Sequence, residues 1–490
     1  MNFEEFKKKA ETYNIIPVFE KMTADTLTPV LAYLRIREKG VTSFLLESVE
    51  GIGRLARYSF IAKNPKSIIT NYNNTLKISG DKNHDNDSRS IFEYLKETIK
   101  NYKYAKVEEL PDFAGGIVGY FGFETIALIE DVIKFSNEDK LEIPDSEFGL
   151  FSSIIAFDHF KHQIILINNV FINNTSPLEE QYSKAKEELK ILRKELTTNK
   201  ESISGFKVNL KHDEDSDFTK LVAKAKKNIY DGDVFQIVLS KRFDADFDGD
   251  LINVYRALRI INPSPYMYFM EFDNNFSIIG TSPEDLLKVK NRKAEILPIA
   301  GTRRRGRTEE EDLALEKNLL DDPKEIAEHT MLVDLARNDL GRVCKYGTVK
   351  ISEKMKINRF SHVMHIVSRV EGILDDDKDC IDALTNSFPA GTVTGAPKIR
   401  AIQLINEYEN ISRNVYAGAI GYIDFSGNLD LCIAIRTLFA KDNKIYWQAG
   451  AGIVADSVPE LELKEINNKS SVLVSALKYA EVIDEDIDNR

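Results

Sequence analysis

The stretch from Asp321 to Arg342, DDPKEIAEHTMLVDLARNDLGR, reads as a helix with one side packed and another carrying charge. Pro323 suits the first helical turn, where its missing N–H leaves no acceptor wanting. Ile326, Met331, Leu332, Leu335 and Leu340 recur at roughly helical spacing and define an apolar face. Glu325 and Glu328, spaced i, i+3, project from one side, and their charges repel unless a cation lies between them. A second pair, Glu462 and Glu465, repeats that spacing on a helix near the end of the chain. Two such pairs form a set of hard oxygen donors suited to an ion such as Mg²⁺, with positions left for a substrate. Spacing alone equally allows pairs that are merely solvated, so the surrounding motifs must decide.

A chain of 490 residues is long enough for roughly three average domains or for one large two-part enzyme. Its hydrophobic content of 43% supports a sizeable core, and its net charge of −12 argues against nucleic acid or an anionic membrane as main partner. An anionic substrate must therefore meet local Arg, Lys, backbone N–H groups or a metal. Cys344, Cys380 and Cys432 are scattered without a CxxC, which indicates neither a disulfide framework nor a zinc site. The opening MNFEEFKKKAETYN lacks an apolar signal region, and no apolar run approaches membrane-spanning length. A cytoplasmic protein is expected.

In chain order, a mixed-charge helix and a short amphipathic element (Pro29–Glu38) precede a strand-like run, Phe44–Glu50, that ends near Glu47 and Ser48. Asn83–Ser88 reads as a polar loop. Ala114–Glu124 is glycine-rich and β-like, and Ala417–Gly427 echoes its G-x-x-G-Y. Phe148–Phe171 reads as strands split by the turn DHFKHQ, Leu178–Leu196 as a charged helix, and polar Thr197–Asp217 as a linker. A helix, Phe218–Tyr230, leads into a strand carrying Gln236, whose amide must find partners amid apolar neighbours. The run Arg303–Arg305, followed by acids, reads as a solvated loop. Phe360–Gly372 alternates as a strand with His365 on the face of Val363 and Val367. Phe388–Ala401 is a glycine-rich turn into a helix, with an N-terminus that favours an anion but lacks the P-loop pattern. Asp430–Phe439 reads as one strand bearing Arg436, and Ser457 with Glu460 as a capping box for the last helix.

PIAGT (Pro298–Thr302), KEIAEHTMLVDLARND (Lys324–Asp339), PAGTVTGAPK (Pro389–Lys398) and GAGIVADSVPELELKE (Gly450–Glu465) together resemble the chorismate-utilising enzymes. LLES (Leu45–Ser48) and NPSPYMY (Asn262–Tyr268) narrow the likeness to the anthranilate synthase large-component family. The motifs are collinear from about Glu38 to the C-terminus. The resemblance implies an α+β fold of two intertwined antiparallel β-sheets flanked by helices. It also implies an N-terminal region, 1–205, with feedback-site elements, and a chorismate-binding catalytic domain, 210–485.

The same resemblance implies roles. Mg²⁺ would be held by Glu325, Glu328, Glu462 and Glu465, with not every one touching the ion. Glu284 matches the general acid that protonates the departing C4 hydroxyl, and His365 a histidine needed for elimination of pyruvate. Arg436 and Tyr416 match groups that bind the enolpyruvyl carboxylate; Gln236, Gly280, Thr281, Thr392, Gly450, Ala451 and Gly452 complete the substrate-binding set. Aminodeoxychorismate synthases of the common type carry Lys at the position of Ala300, and isochorismate and salicylate synthases carry Lys at that of Gln236. Ala and Gln there imply direct attack by ammonia. Glu47, Ser48, Asn262, Pro263, Pro265, Tyr266 and Met267 match a tryptophan feedback site. No amidotransferase nucleophile motif surrounds a cysteine, so a separate glutamine amidotransferase subunit is the implied ammonia source. The alternatives are an aminodeoxychorismate synthase component and a non-catalytic chorismate-binding homologue.

Overall fold

The computed structural model describes residues 1–48, 57–72, 75–80, 84–135, 141–198, 203–210, 217–359 and 363–484. Part of the Phe44–Glu50 run and of the Phe360–Gly372 run lies outside these residues, as does Asn83.

Two antiparallel twelve-stranded sheets, flanked by helices, make up the fold. The first runs in the order 15–23, 163–171, 153–158, 58–63, 43–47, 266–271, 276–282, 437–441, 444–453, 236–249 and 206–210, with 395–396 paired to 236–249. The second runs 299–304, 363–373, 293–296, 285–290, 429–433, 419–424, 116–121, 146–151, 67–72, 75–80 and 84–87, with 350–359 paired to 363–373. Both sheets thus join a block of strands from before residue 172 to a block from after residue 205, so each half of the chain contributes to both sheets. In the second, the two glycine-rich stretches are direct neighbours, Gly119 facing Gly421 across the ladder. A Cβ at Gly119 would come within 2.0 Å of the Glu147 carbonyl oxygen, so the close approach requires glycine there.

Period-two alternation explains the layering. Phe44, Ile154, Tyr268 and Ile278 of the first sheet pack with Val118, Tyr120, Ile420 and Cys432 of the second in a shared core. Their alternates Leu45, Ile155, Phe269 and Ile279 turn to the other face, against the helices Pro29–Ile36, Leu178–Thr198, Ile252–Ile261 and Pro459–Glu481.

Adjacent strands cross between the sheets. The chain leaves the first sheet at Ser282 and enters the second at Asp285, with Glu284 in the step. It makes the reverse passage between Ile433 and Thr437, with Arg436 in that step at a φ of 49°. The crossovers are bonded together: the Ile433 N–H donates to the Glu284 carbonyl (3.0 Å) and the Thr281 N–H to the Arg436 carbonyl (3.2 Å). Asp430–Phe439 is therefore not one strand, because its halves belong to different sheets.

Other local expectations change for equally physical reasons. His84–Asp87 is an edge strand of the second sheet, not loop. Ile299–Arg304 is a strand as well, and the arginine run at its end meets acids: Arg303 pairs with Asp322 and Glu325, Arg304 with Glu311, and Arg305, just past the strand, with Asp312. The last helix begins after Val458 without a side-chain cap, since the Ser457 hydroxyl accepts from the Val454 N–H instead.

Candidate active site

The Pro323–Gly341 helix starts where Asp322 accepts from the Lys324 and Glu325 N–H groups. It buries His329, Leu332, Val333, Ala336, Asp339 and Leu340, while Ile326, Met331 and Leu335 are only half-buried. The apolar face is thus rotated from the sequence expectation, and a histidine occupies it. His329 Nε2 lies 2.7 Å from the Ser368 hydroxyl, which accepts the Met355 N–H, and burial pushes the imidazole pKa down to about 4. That bond ties the glutamate helix to the strand carrying His365. At the helix's far end Asp339 pairs with Lys398 at 3.2 Å, joining LVDLARND to PAGTVTGAPK.

With the helix so fixed, a cavity of about 510 Å³ opens beside the two crossovers. It gathers Gln236, Glu284, His365, Thr392, Tyr416 and Arg436, together with Gly450 and Gly452. The carboxylates Glu325, Glu328 and Glu465 also line it, whereas Glu462, Gly280, Thr281 and Ala451 do not. Glu462 is half-buried on the last helix. Gly280 and Thr281 are interior residues of the strand Phe276–Ser282, and Ala451 points to the opposite face from its two glycine neighbours. A Cβ at Gly450 would stand 2.5 Å from the Tyr416 hydroxyl, and one at Gly452 would stand 2.6 Å from the Gln236 amide nitrogen. The glycines let backbone form a wall where side chains crowd.

Burial raises the Glu284 carboxyl to about 7, against the lowering effects of Thr392, Lys469 and Arg436. Arg436 is lowered by burial and partly restored by Glu284. Its guanidinium donates to Asn262 Oδ1 at 3.2 Å. His365 Nδ1 donates to the Gly301 carbonyl at 2.9 Å with the Thr302 hydroxyl 3.0 Å away, and burial lowers its pKa.

The acidic wall carries its own cations. Arg303 holds Glu325 at 2.9 Å, and Lys469 holds Glu465 at 2.7 Å while also donating to the Gly450 carbonyl. Glu328 is raised by burial first and then by Glu325, with Glu465 adding to the repulsion. Among the described residues no three His, Cys, Asp or Glu side chains are grouped about one ion position.

Sequence reasoning missed the support behind Tyr416. Arg413 and Glu409 form a buried pair with contacts of 2.7 and 2.8 Å. Arg413 also donates to the Val393 and Val238 carbonyls, and Glu409 accepts from Ser240. Their i, i+4 spacing was the available signal.

A second cavity, about 410 Å³, lies on the other side of the crossovers and shares Pro283 and Ile299 with the first. Glu47, Ser48, Pro265, Tyr266 and Met267 line it, along with Tyr58, Tyr422, Lys288 and Asp430. Asn262 and Pro263 do not. Glu47 accepts from the Tyr255 hydroxyl at 2.6 Å and lies 3.1 Å from Arg259, while Asp430 accepts from Tyr266 and Lys288.

Intertwined sheets with a charged cavity at their crossovers define an architecture that known proteins share. Residues 47–475 match the chorismate binding enzymes, and the chain belongs to that family. It is 45% identical to anthranilate synthase component 1 of Acetivibrio thermocellus over 492 residues, covering 97% of this chain and 98% of the relative. The counterpart from Aquifex aeolicus is 44% identical over 98% of both chains. Anthranilate synthase component I from Streptococcus pneumoniae superposes with a TM-score of 0.74 at 39% identity, covering 93% of this chain and 99% of that one. The menaquinone-specific isochorismate synthase from Escherichia coli shares the fold, with a TM-score of 0.71 at 19% identity over 97% of this chain and 98% of that one.

Proposed function

We propose that this chain is the large component of an anthranilate synthase, converting chorismate and ammonia to anthranilate and pyruvate in tryptophan biosynthesis. One observation carries the reading. Near-full-length likeness to anthranilate synthase component 1 proteins, at 45% identity for one of them, coincides with a cavity holding Glu284, Arg436, Ala300 and Gln236 together.

The chemistry follows from these groups. A carboxyl raised to about 7 keeps about half of its population protonated at neutral pH and serves as a general acid. Glu284 gives its proton to the C4 hydroxyl as ammonia attacks C2, so the leaving group departs as water. The Arg436 fork matches the enolpyruvyl carboxylate in charge and geometry, with Tyr416, Thr392 and the Gly450–Gly452 backbone around it. His365, kept neutral by burial, has its Nδ1 proton on the Gly301 carbonyl, which leaves Nε2 as the basic nitrogen. It assists loss of pyruvate, which makes the ring aromatic.

Mg²⁺ belongs to this reading. The chemistry of the donors suits a hard cation, because half-buried Glu328 is repelled by Glu325 and Glu465 and an ion drawing the three together would relieve that repulsion. Glu325, Glu328 and Glu465 would hold it, with Glu462 behind them. Bound there, the ion supplies positive charge for the substrate's ring carboxylate.

Ammonia comes from a separate glutamine amidotransferase subunit. The three cysteines are buried and their thiol pKa values raised by burial, Cys344 to about 11, which leaves each a poor thiolate nucleophile. Free cysteines also suit a cytoplasmic location, and among the described residues no helix is long and apolar enough to cross a membrane. The second cavity, aromatic with charged ends, suits tryptophan as feedback inhibitor. The test is direct: the purified chain with chorismate, Mg²⁺ and an ammonium salt yields anthranilate fluorescence, and glutamine replaces ammonium only after a glutaminase is added. Failure to form anthranilate under these conditions would overturn the assignment.

A further inference from the structure

His365 lies on a strand paired on both sides, facing Thr302 across one ladder and Asn358 across the other. The pairing with Thr302 is irregular. Ala300 faces Ile366, so an unbroken ladder would put Gly301 opposite His365 and Thr302 opposite Met364. Gly301 instead bulges out at a φ of 71°, and Thr302 is carried one place along to face the histidine. That left-handed backbone suits glycine, and a Cβ there would stand 3.1 Å from Glu325 Oε2.

The bulge brings two acceptors to one nitrogen. His365 Nδ1 lies 2.9 Å from the Gly301 carbonyl and 3.0 Å from the Thr302 hydroxyl. A carbonyl only accepts, so Nδ1 is the protonated nitrogen and Nε2 keeps the free lone pair. The hydroxyl accepts the same proton from a second direction, which limits the swing of the ring. Thr302 is itself braced by its neighbour: Arg303 bonds Asn318 at 2.9 Å, Asp322 at 2.8 Å and Glu325 at 2.9 Å. The end of this strand is thus tied to the glutamate helix on one side and to the histidine on the other. A site is as exact as the groups that hold its reacting residues.

We propose that Thr302 is a positioning residue for His365 and serves the loss of pyruvate, not the attack of ammonia. The inference rests on the proposed reaction. In the elimination, the electron pair of the C2–H bond becomes the last ring double bond, and the C3–O pair departs with the enolate of pyruvate. The C2 proton goes to Nε2, and one proton returns to the enolate carbon, so none is gained or lost. Nε2 can take that proton only while it is unprotonated and aimed at C2. Amination draws on Glu284 and Arg436 instead.

Each step is measured alone. Consumption of chorismate with ammonia reports amination, and the isolated aminated intermediate, supplied directly, reports elimination. Thr302→Val keeps the shape of the side chain without its hydroxyl, with Thr302→Ala as a second variant should valine pack poorly. Elimination slows about three- to tenfold in either variant, the size of one lost hydrogen bond, while amination changes less than about twofold. Thr302→Ser, which regains the hydroxyl, brings elimination back to within about twofold of wild type. Elimination unchanged in the valine and alanine variants, or both steps falling together, overturns the positioning role. A serine variant as slow as the valine one overturns it too. A wild-type chain that forms no anthranilate overturns the proposed reaction and this inference with it; a wild type active in both steps confines any failure to Thr302.

Discussion

The two cavities stand back to back on the same crossovers, share Pro283 and Ile299, and differ in almost everything else. One is walled by Tyr58, Phe60, Tyr266, Tyr268 and Tyr422, with charge confined to Glu47, Asp285, Lys288 and Asp430. The other is walled by carboxylates, Arg436, Lys324, Lys469 and His365. Aromatic walls give a ligand apolar contact area and leave polar groups to fix its orientation. Clustered charges shift one another's protonation and stabilise charge as it develops, which is the requirement of catalysis. In the proposed reading, recognition falls to one side of the crossovers and chemistry to the other.

The sharpest break in that symmetry is Glu284→Gln. Removing the proton donor should lower kcat by about 10²–10⁴ while tryptophan binding stays as in wild type. The pH dependence follows from the carboxyl near 7. Its protonated form is the active one, so the rate per free ammonia is level below about pH 7 and falls about tenfold per unit well above it. Correction to free ammonia is essential, because ammonium itself deprotonates as pH rises. In Glu284→Gln the residual rate should lose this falling limb; a limb that persists unchanged assigns the titration to another group.

Why the two sides were unequally legible in the sequence is a matter of period. Strand alternation and helix spacing marked Phe218–Tyr230 and the glutamate helix, because those elements are regular and long. Crossovers have no period. Asp430–Phe439 reads as one continuous strand, yet it passes from one sheet to the other around Arg436, and only the pairing partners reveal this. Likewise the i, i+3 spacing put Glu462 beside Glu465, but the packing of the last helix turns only Glu465 to the cavity. The family motifs brought the charged cavity into view, including Glu284 and Arg436, whose proximity no local pattern encodes. Lys288 and Asp430, the charged pair in the aromatic cavity, carried no motif at all.

A smaller effect sharpens the charged side. Glu328→Gln and Glu465→Gln each remove one anionic donor and should weaken Mg²⁺ binding by about 10–100-fold, read as the Mg²⁺ concentration for half-maximal activity. Excess Mg²⁺ should restore much of the rate. The loss should be larger for Glu328, since Glu465 already shares its charge with Lys469. If activity at limiting Mg²⁺ is unchanged in either variant, that carboxylate is not part of the metal site.

The smallest effect on turnover tests the aromatic side. Ser48 lines that cavity next to Glu47, at the end of the strand paired with Tyr266–Glu271. Ser48→Phe adds a ring to a space of about 410 Å³ that the tyrosines already narrow. The ring occupies volume that an indole needs, so tryptophan inhibition should weaken by about tenfold or more. Turnover should change far less, because Ser48 does not line the charged cavity. Both values must be measured with ammonia, so that a partner subunit contributes nothing to the difference. Loss of turnover and of inhibition in equal measure would show that the cavities cannot be separated. Intact inhibition would place the tryptophan site elsewhere.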